Sequence, residues 1–226
     1  MAWDRLVAVH PTGAFVNRAA YWDLCKPSSP HGAPPGPLPV GWTPYEGHGP
    51  GVELLGEPRT ALELGAGEGR EAAWLARSGV RVTGVDVSAV QVARARRWWA
   101  DVRGLDFVCA DVETYLAGTG RVWDVVYSIW GAAWFCDPES LFPLVRRRFV
   151  PGGRFVFSHG ETAPERSGPE FLRPRADVPG VPRWCYPPQE WAARLKAAGF
   201  VSAEVSVVPG TEGGRATVVG VGRTGP

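Results

Sequence analysis

Three glycines spaced two apart, Gly65, Gly67 and Gly69, follow the apolar run Ala61–Leu64 and precede a helical pattern expected to begin at about Glu68. Glycine admits positive φ and lets a ligand approach bare main chain. A helix opening behind such a turn offers free N–H groups to polar atoms. Asp86 ends a second apolar run at the separation where an acid meets ribose hydroxyls in a nucleotide-type site. Glu63 lies within the first run, where a buried charge needs partners, which the N–H groups of the turn or a ligand would supply. A dinucleotide fingerprint needs G-x-G-x-x-G, and its third glycine falls on Arg70. The spacing is G-x-G-x-G.

Proton transfer would fall to histidine. His159 ends the fifth expected strand and His48 lies beside Tyr45 and Glu46 in a proline- and glycine-rich stretch, so both are candidate bases, while His10 and His31 fall outside any motif. A structural role competes with catalysis at either candidate. Trp130, Trp134 and Phe135 follow the fourth expected strand, and Trp184 and Tyr186 close a later insertion. With Tyr45, the residues Trp130, Trp134, Trp184 and Tyr186 form a candidate aromatic wall for a planar or apolar ligand, although eleven tryptophans also suit plain core packing. Arg146-Arg147-Arg148 falls at the end of a helix, where the dipole favours cations, so it does not imply nucleic acid.

The elements that position these residues read as alternating strand and helix from Leu54 onward. Strands are expected near 60–64, 81–86, 105–110, 122–128, 153–158, 200–208 and 215–222, and helices near 68–78, 88–99, 112–117, 138–149 and 187–198. Ser88 and Asp137 are expected N-caps, with Pro138 in a first turn and Pro151-Gly152-Gly153 stopping that helix. Repeated βα units imply an α/β, doubly wound, mostly parallel seven-stranded sheet, and the last two strands form an antiparallel hairpin. Residues 1–53 read as an N-terminal helix, near Asn17–Lys26, and a Pro/Gly-rich lid; residues 54–226 form the core, with 160–187 as an irregular cap.

At 226 residues, 45% hydrophobic and 21% charged, the chain suits one globular domain with modest additions. A net charge of +1 gives no general pull toward nucleic acid or membrane. Cys25, Cys109, Cys136 and Cys185 form no C-x-x-C pair and suggest neither a metal site nor a disulfide framework. No secretory signal or membrane-length apolar run is visible, so a cytoplasmic monomer or homodimer is expected.

The stretch Glu63 to Gly69 resembles the first motif of the class I methyltransferases, which bind S-adenosylmethionine (SAM). Gly84-Val85-Asp86, Cys109-Ala110-Asp111-Val112, Trp123 to Ser128 and Pro151 to Phe155 are similar to their later motifs, in the same order. The resemblance implies SAM bound by Glu63, Gly65, Ala66, Gly67, Gly69, Asp86, Val87, Asp111, Val112 and Ser128, with Asp86 on the ribose and Asp111 at the adenine amino group. Tyr21-Trp22-Asp23 resembles the aromatic-Asp segment that helps close the site, which makes Tyr21 a candidate substrate contact. The loop Ser128-Ile129-Trp130-Gly131 lacks the signatures of base-directed enzymes of this family, and acids of the metal-dependent type are missing after strands four and five. A metal-independent enzyme methylating O or N of a small aromatic or apolar metabolite is the expectation. A nicotinamide-dependent oxidoreductase and a non-catalytic SAM-binding module are the alternatives.

Overall fold

The computed structural model describes residues 17–29, 35–162 and 166–226. His10 and His31 lie outside the described residues. The chain order is α1 (Arg18–Asp23), a 3-10 turn (Val52–Leu55), β1 (Thr60–Leu64), α2 (Arg70–Arg77), β2 (Arg81–Asp86), α3 (Ala89–Trp98), β3 (Leu105–Cys109) and α4 (Val112–Gly118). It continues with β4 (Trp123–Ile129), α5 (Ala132–Phe135), α6 (Pro138–Arg146), β5 (Phe149–Gly160), β6 (Gly168–Phe171), β7 (Pro182–Cys185), α7 (Pro188–Ala197), β8 (Ser202–Val208) and β9 (Thr217–Arg223).

Seven strands form one sheet in the order β3-β2-β1-β4-β5-β9-β8. The β1–β5 pairs are parallel, and β9 runs antiparallel to both β5 and β8. This is the expected doubly wound sheet with its terminal hairpin. Strand direction reverses its winding between β1 and β4, so the crevice at their carboxyl ends is where a ligand is expected.

Alternation along the strands feeds two apolar layers. Ala61, Val125 and Tyr127 pack with Ala72, Leu75 and Val92 of α2 and α3 on one face. Leu62, Leu64 and Val126 pack with Leu116, Leu141 and Leu195 of α4, α6 and α7 on the other. Caps set the helix starts. Ser88 Oγ accepts from Gln91 N at 3.1 Å, Asp111 from Glu113 N and Thr114 N, and Asp137 from Glu139 N at 2.9 Å.

Several boundaries differ from expectation. Helix α2 begins at Arg70, because Gly65, Gly67 and Gly69 all hold positive φ, at 78°, 52° and 71°. Helix α6 ends at Arg146, and β5 absorbs Pro151-Gly152-Gly153 through a register shift against β4. Residues 160–187 are not wholly irregular, since β6 and β7 pair as a two-stranded antiparallel ribbon. Arg146 Nε and Arg148 Nε donate to the carbonyls of Gly199 and Leu116, both at 2.8 Å, so two of the three arginines tie down neighbouring chain ends.

Candidate active site

Strand ends β1, β2, β3 and β4 open onto a cavity of about 200 Å³. Gly65, Gly67, Asp86, Val87, Asp111, Val112 and Trp130 line it, joined by Arg18, Trp22, Cys25, Gln91, Gly131, Ala132, Phe135 and Cys136.

The glycine turn is built differently from the simple N–H cradle. Gly65 N and Ala66 N donate to Val85 O at 2.8 and 3.1 Å, and Gly69 N donates to Ala66 O at 2.8 Å. Gly67 N donates to Asp86 Oδ2 at 2.8 Å. These four donors are spent on the protein, so at these positions the turn offers a ligand bare backbone rather than free N–H groups. Close approach explains the rest. A Cβ on Gly65 would lie 2.5 Å from Ala132 N, and one on Gly131 would lie 2.5 Å from Leu64 O. The loops after β1 and β4 touch because neither glycine carries a side chain. Gly69 backs the turn, with a Cβ position 2.2 Å from the Phe107 ring.

Asp86 carries the turn's electrostatics. Its second oxygen, Oδ1, accepts from Ser88 N at 2.8 Å. Burial pushes its carboxyl above the usual aspartate range, Asp23 adds to that, and the N–H groups of Ser88 and Gly67 pull it back. Each oxygen keeps lone-pair capacity for hydroxyl donors from the cavity. Asp23 in turn accepts from Ser88 Oγ at 2.6 Å, which anchors α1 to the start of α3.

Glu63 does not reach the cavity. Its Oε2 accepts from the Tyr127 hydroxyl at 3.2 Å, and it also accepts from the Ala72 backbone. Burial, followed by the neighbouring Glu71, holds the carboxyl well above its ordinary range. Its partners are therefore Tyr127 and α2, not the glycine turn. Ser128 is equally interior: Oγ donates to Leu64 O at 2.8 Å and accepts from Ala133 N at 3.1 Å, locking α5 onto β1. Ala66 is buried in the layer beneath α2 and α3. Glu63, Ala66, Gly69 and Ser128 thus support the cavity from behind.

Asp111 caps α4, and its Oδ2 lies 3.5 Å from Arg18 Nη1. Arg18 also stands 3.5 Å from Glu113 and donates to Cys136 Sγ at 3.6 Å. Burial pushes the Cys136 thiol up to about 12, against the opposing pull of Arg18, so it is no nucleophile near neutrality. Among the described residues no group of three or more His, Cys, Asp or Glu side chains could hold a metal ion.

Trp130 forms the cavity wall in a left-handed conformation, φ 49°, with its indole N–H donating to Trp42 O at 3.2 Å. Trp134 packs edge-on against Trp130 at 5.5 Å and lies behind it. Phe135 lines the cavity and meets Trp22 of α1 at 4.8 Å. Tyr21 points away, donating to Arg173 O at 3.0 Å. Trp184 and Tyr186 are buried in the layer with α7, and Tyr186 packs on Trp191 at 5.1 Å. Of the expected aromatic wall, Trp130 faces the cavity, and the lining also takes Trp22 and Phe135.

Neither candidate base reaches this space. His159 is fully buried, stacked on Trp134 at 5.2 Å and Phe157 at 6.1 Å, with Trp191 at 5.1 Å. Nδ1 meets Gly160 O at 3.0 Å, so the neutral ring presents Nε2 as an acceptor that has no partner among the described residues. Burial lowers its pKa to about 4, Arg183 adds to the fall, and the Gly160 bond opposes it. Strand parity carried the signal: His159 follows Phe155 and Phe157 at spacing two, and both face the α6–α7 layer. His48 Nε2 sits 2.7 Å from Pro209 O, and Tyr45 donates to Arg215 O at 3.0 Å. Both hold the 40–50 segment to the β8–β9 turn instead of covering the cavity. Arg18, Cys25, Gln91 and Cys136 were not foreseen, since each comes from an element without a local motif.

Sheet order, glycine turn and strand-end acids together define the class I methyltransferase fold. Residues 62–157 match the family model described as methyltransferase domain. The chain is similar to trans-aconitate 2-methyltransferase of Delftia acidovorans, 30% identical over 112 residues that are 46% of this chain and 41% of that protein. It is similar also to the ubiquinone biosynthesis O-methyltransferase of Klebsiella pneumoniae, 33% identical over 102 residues, 44% of this chain and 42% of that protein. Each match therefore spans less than half of the relative's length. Among solved structures, the N-terminal domain of EvdMO1 with SAH bound aligns at TM-score 0.58 and 25% identity, covering 76% of this chain and 77% of that one.

Proposed function

We propose that this chain is a SAM-dependent methyltransferase that methylates an O or N atom of a small aromatic or apolar metabolite without a metal ion. The observation that carries the reading is Asp86: a buried carboxylate at the β2 end, oriented by Gly67 and Ser88, on a cavity whose floor is side-chain-free backbone at Gly65 and Gly131. The match of residues 62–157 and the SAH-bound neighbour support the same donor.

In this reading Asp86 accepts the ribose hydroxyls, with Gly65, Gly67 and Val87 beside it, and Asp111 and Val112 meet the adenine side. SAM supplies a methyl group on a sulfonium that is already a good leaving group. The chain's part is to exclude water and align the acceptor, which can supply much of the rate. Trp22, Trp130 and Phe135 form an apolar wall suited to a flat acceptor and favourable to nearby positive charge. Among the described residues neither His159 nor His48 lines the cavity, so in this reading neither serves as the base. We place the protein in the cytoplasm as a monomer or homodimer; no helix among the described residues is long and apolar enough to cross a membrane.

The test is SAH release on mixing the protein with SAM and a panel of phenols, aromatic amines and heteroaromatic N–H compounds. Turnover with at least one of them is expected. SAM binding with no turnover across the panel would favour the non-catalytic module.

A further inference from the structure

Beside the cavity, α1 and the 166–187 insertion meet through one turn. Arg175 and Val178 exchange two backbone hydrogen bonds, at 3.0 and 2.9 Å, around Ala176, whose φ is 48°. The turn is closed on itself, which fixes where the Arg175 side chain starts. That side chain lies across two rings of α1, with Cζ 4.5 Å from the Tyr21 centroid and 5.2 Å from that of Trp22. Its Nη1 donates to Cys25 Sγ at 2.7 Å. Trp22 and Cys25 both line the cavity, so the guanidinium stands one side chain from it.

Charge bookkeeping separates Arg175 from its neighbours. Arg18 is flanked by Asp111 and Glu113, Arg183 is paired with Glu170, and Arg194 with Glu190. Arg175 has no carboxylate within ion-pair range among the described residues. Its contacts are two aromatic faces and a thiol, which orient a guanidinium plane without neutralising it. A planar fork with unused N–H donors matches a carboxylate bidentately.

We propose that Arg175 is the specificity-determining anchor for a carboxylate on the acceptor, so that the acceptor is an aromatic or apolar acid rather than a neutral molecule. This rests on the methyltransferase reading and sharpens its substrate class. The flat part of the acceptor lies on the Trp22, Trp130 and Phe135 side, and its carboxylate reaches past Cys25 to the guanidinium.

The experiment is calorimetry on the SAH-loaded protein with matched pairs: benzoate, 4-hydroxybenzoate, cinnamate, indole-3-acetate and octanoate, each against its primary amide. The wild-type protein should bind at least one acid about tenfold more tightly than its amide, as a charge-assisted pair implies. Arg175→Met keeps the stem length and the packing on Tyr21 and Trp22, and should bring that ratio to within about twofold while leaving SAH affinity unchanged. Arg175→Lys keeps the charge but not the fork and should fall between them. If no acid outbinds its amide, or the preference survives in Arg175→Met, the inference is wrong. Equal loss of acid and amide binding in Arg175→Met would assign the residue to packing alone and also overturn it. Failure of the wild-type protein to bind SAH would instead strike the methyltransferase reading itself.

Discussion

Replacing His159 by Phe tests the buried-neutral histidine through its pH dependence. The ring sits between Trp134, Phe157 and Trp191, and its pKa falls to about 4 from 6.5, chiefly through burial. The folded pKa is depressed, so the unfolded chain binds the proton more tightly. The neutral ring's contribution is whole above the unfolded pKa and is lost as pH falls toward the folded one. A gap of roughly 2.5 units at 1.36 kcal/mol per unit amounts to about 3 kcal/mol, of which roughly 2 kcal/mol is lost between about pH 7 and about pH 4.5. Asp86 and Glu63, both raised, titrate with the opposite sign, because the folded state then holds their protons more tightly. They are common to both proteins and cancel in the comparison. The assay is urea unfolding of wild type and His159→Phe at a series of pH values. Phe suits the aromatic surroundings, and the difference in stability between the two proteins should shift by about 2 kcal/mol in favour of the variant on acidification. Parallel curves would refute the account of His159 as a buried neutral ring.

Gly65→Ala should cost roughly 2–4 kcal/mol and abolish tight donor binding, since its Cβ would lie 2.5 Å from Ala132 N at φ +78°. Gly67→Ala, at φ +52° with nothing within 4 Å, should cost about 1 kcal/mol; the two are compared by urea unfolding, and similar costs would contradict the close-approach argument. Ser128→Ala removes the link between Leu64 O and Ala133 N and should destabilise by about 1–3 kcal/mol, read by the same method.

The sheet was legible because its inner strands are short apolar runs closed by glycine or acid, as at Leu64-Gly65 and Val85-Asp86, and because Ser88, Asp111 and Asp137 cap the helices that follow. Helix α5 was not, since four residues carry no periodicity. The β6–β7 ribbon was masked by Pro169 and Pro182, which a two-stranded edge tolerates because an edge N–H can face away from the ladder. In the site, the cavity-lining residues Gly65, Gly67, Asp86, Val87, Asp111 and Val112 follow their strands directly, so position in the sequence implied position in space. The wall opposite is assembled from α1, α5 and the insertion. Trp22 faces in and Tyr21 faces away although they are adjacent, and no local pattern separates them. Tyr45 and His48 were misplaced for the same reason. Their proline- and glycine-rich context suggests a loop but not which surface it binds, and here the partner is the β8–β9 turn.

Calorimetry of SAM against wild type and Asp86→Ala tests the central claim most directly, with circular dichroism to confirm that the variant keeps its fold. The wild-type protein should bind SAM at one site, and the variant at least about a hundredfold more weakly, because two hydrogen bonds to a charged group at about 1.5–3 kcal/mol each are lost. Equal affinity in the two folded proteins, or no SAM binding by wild type, would contradict it.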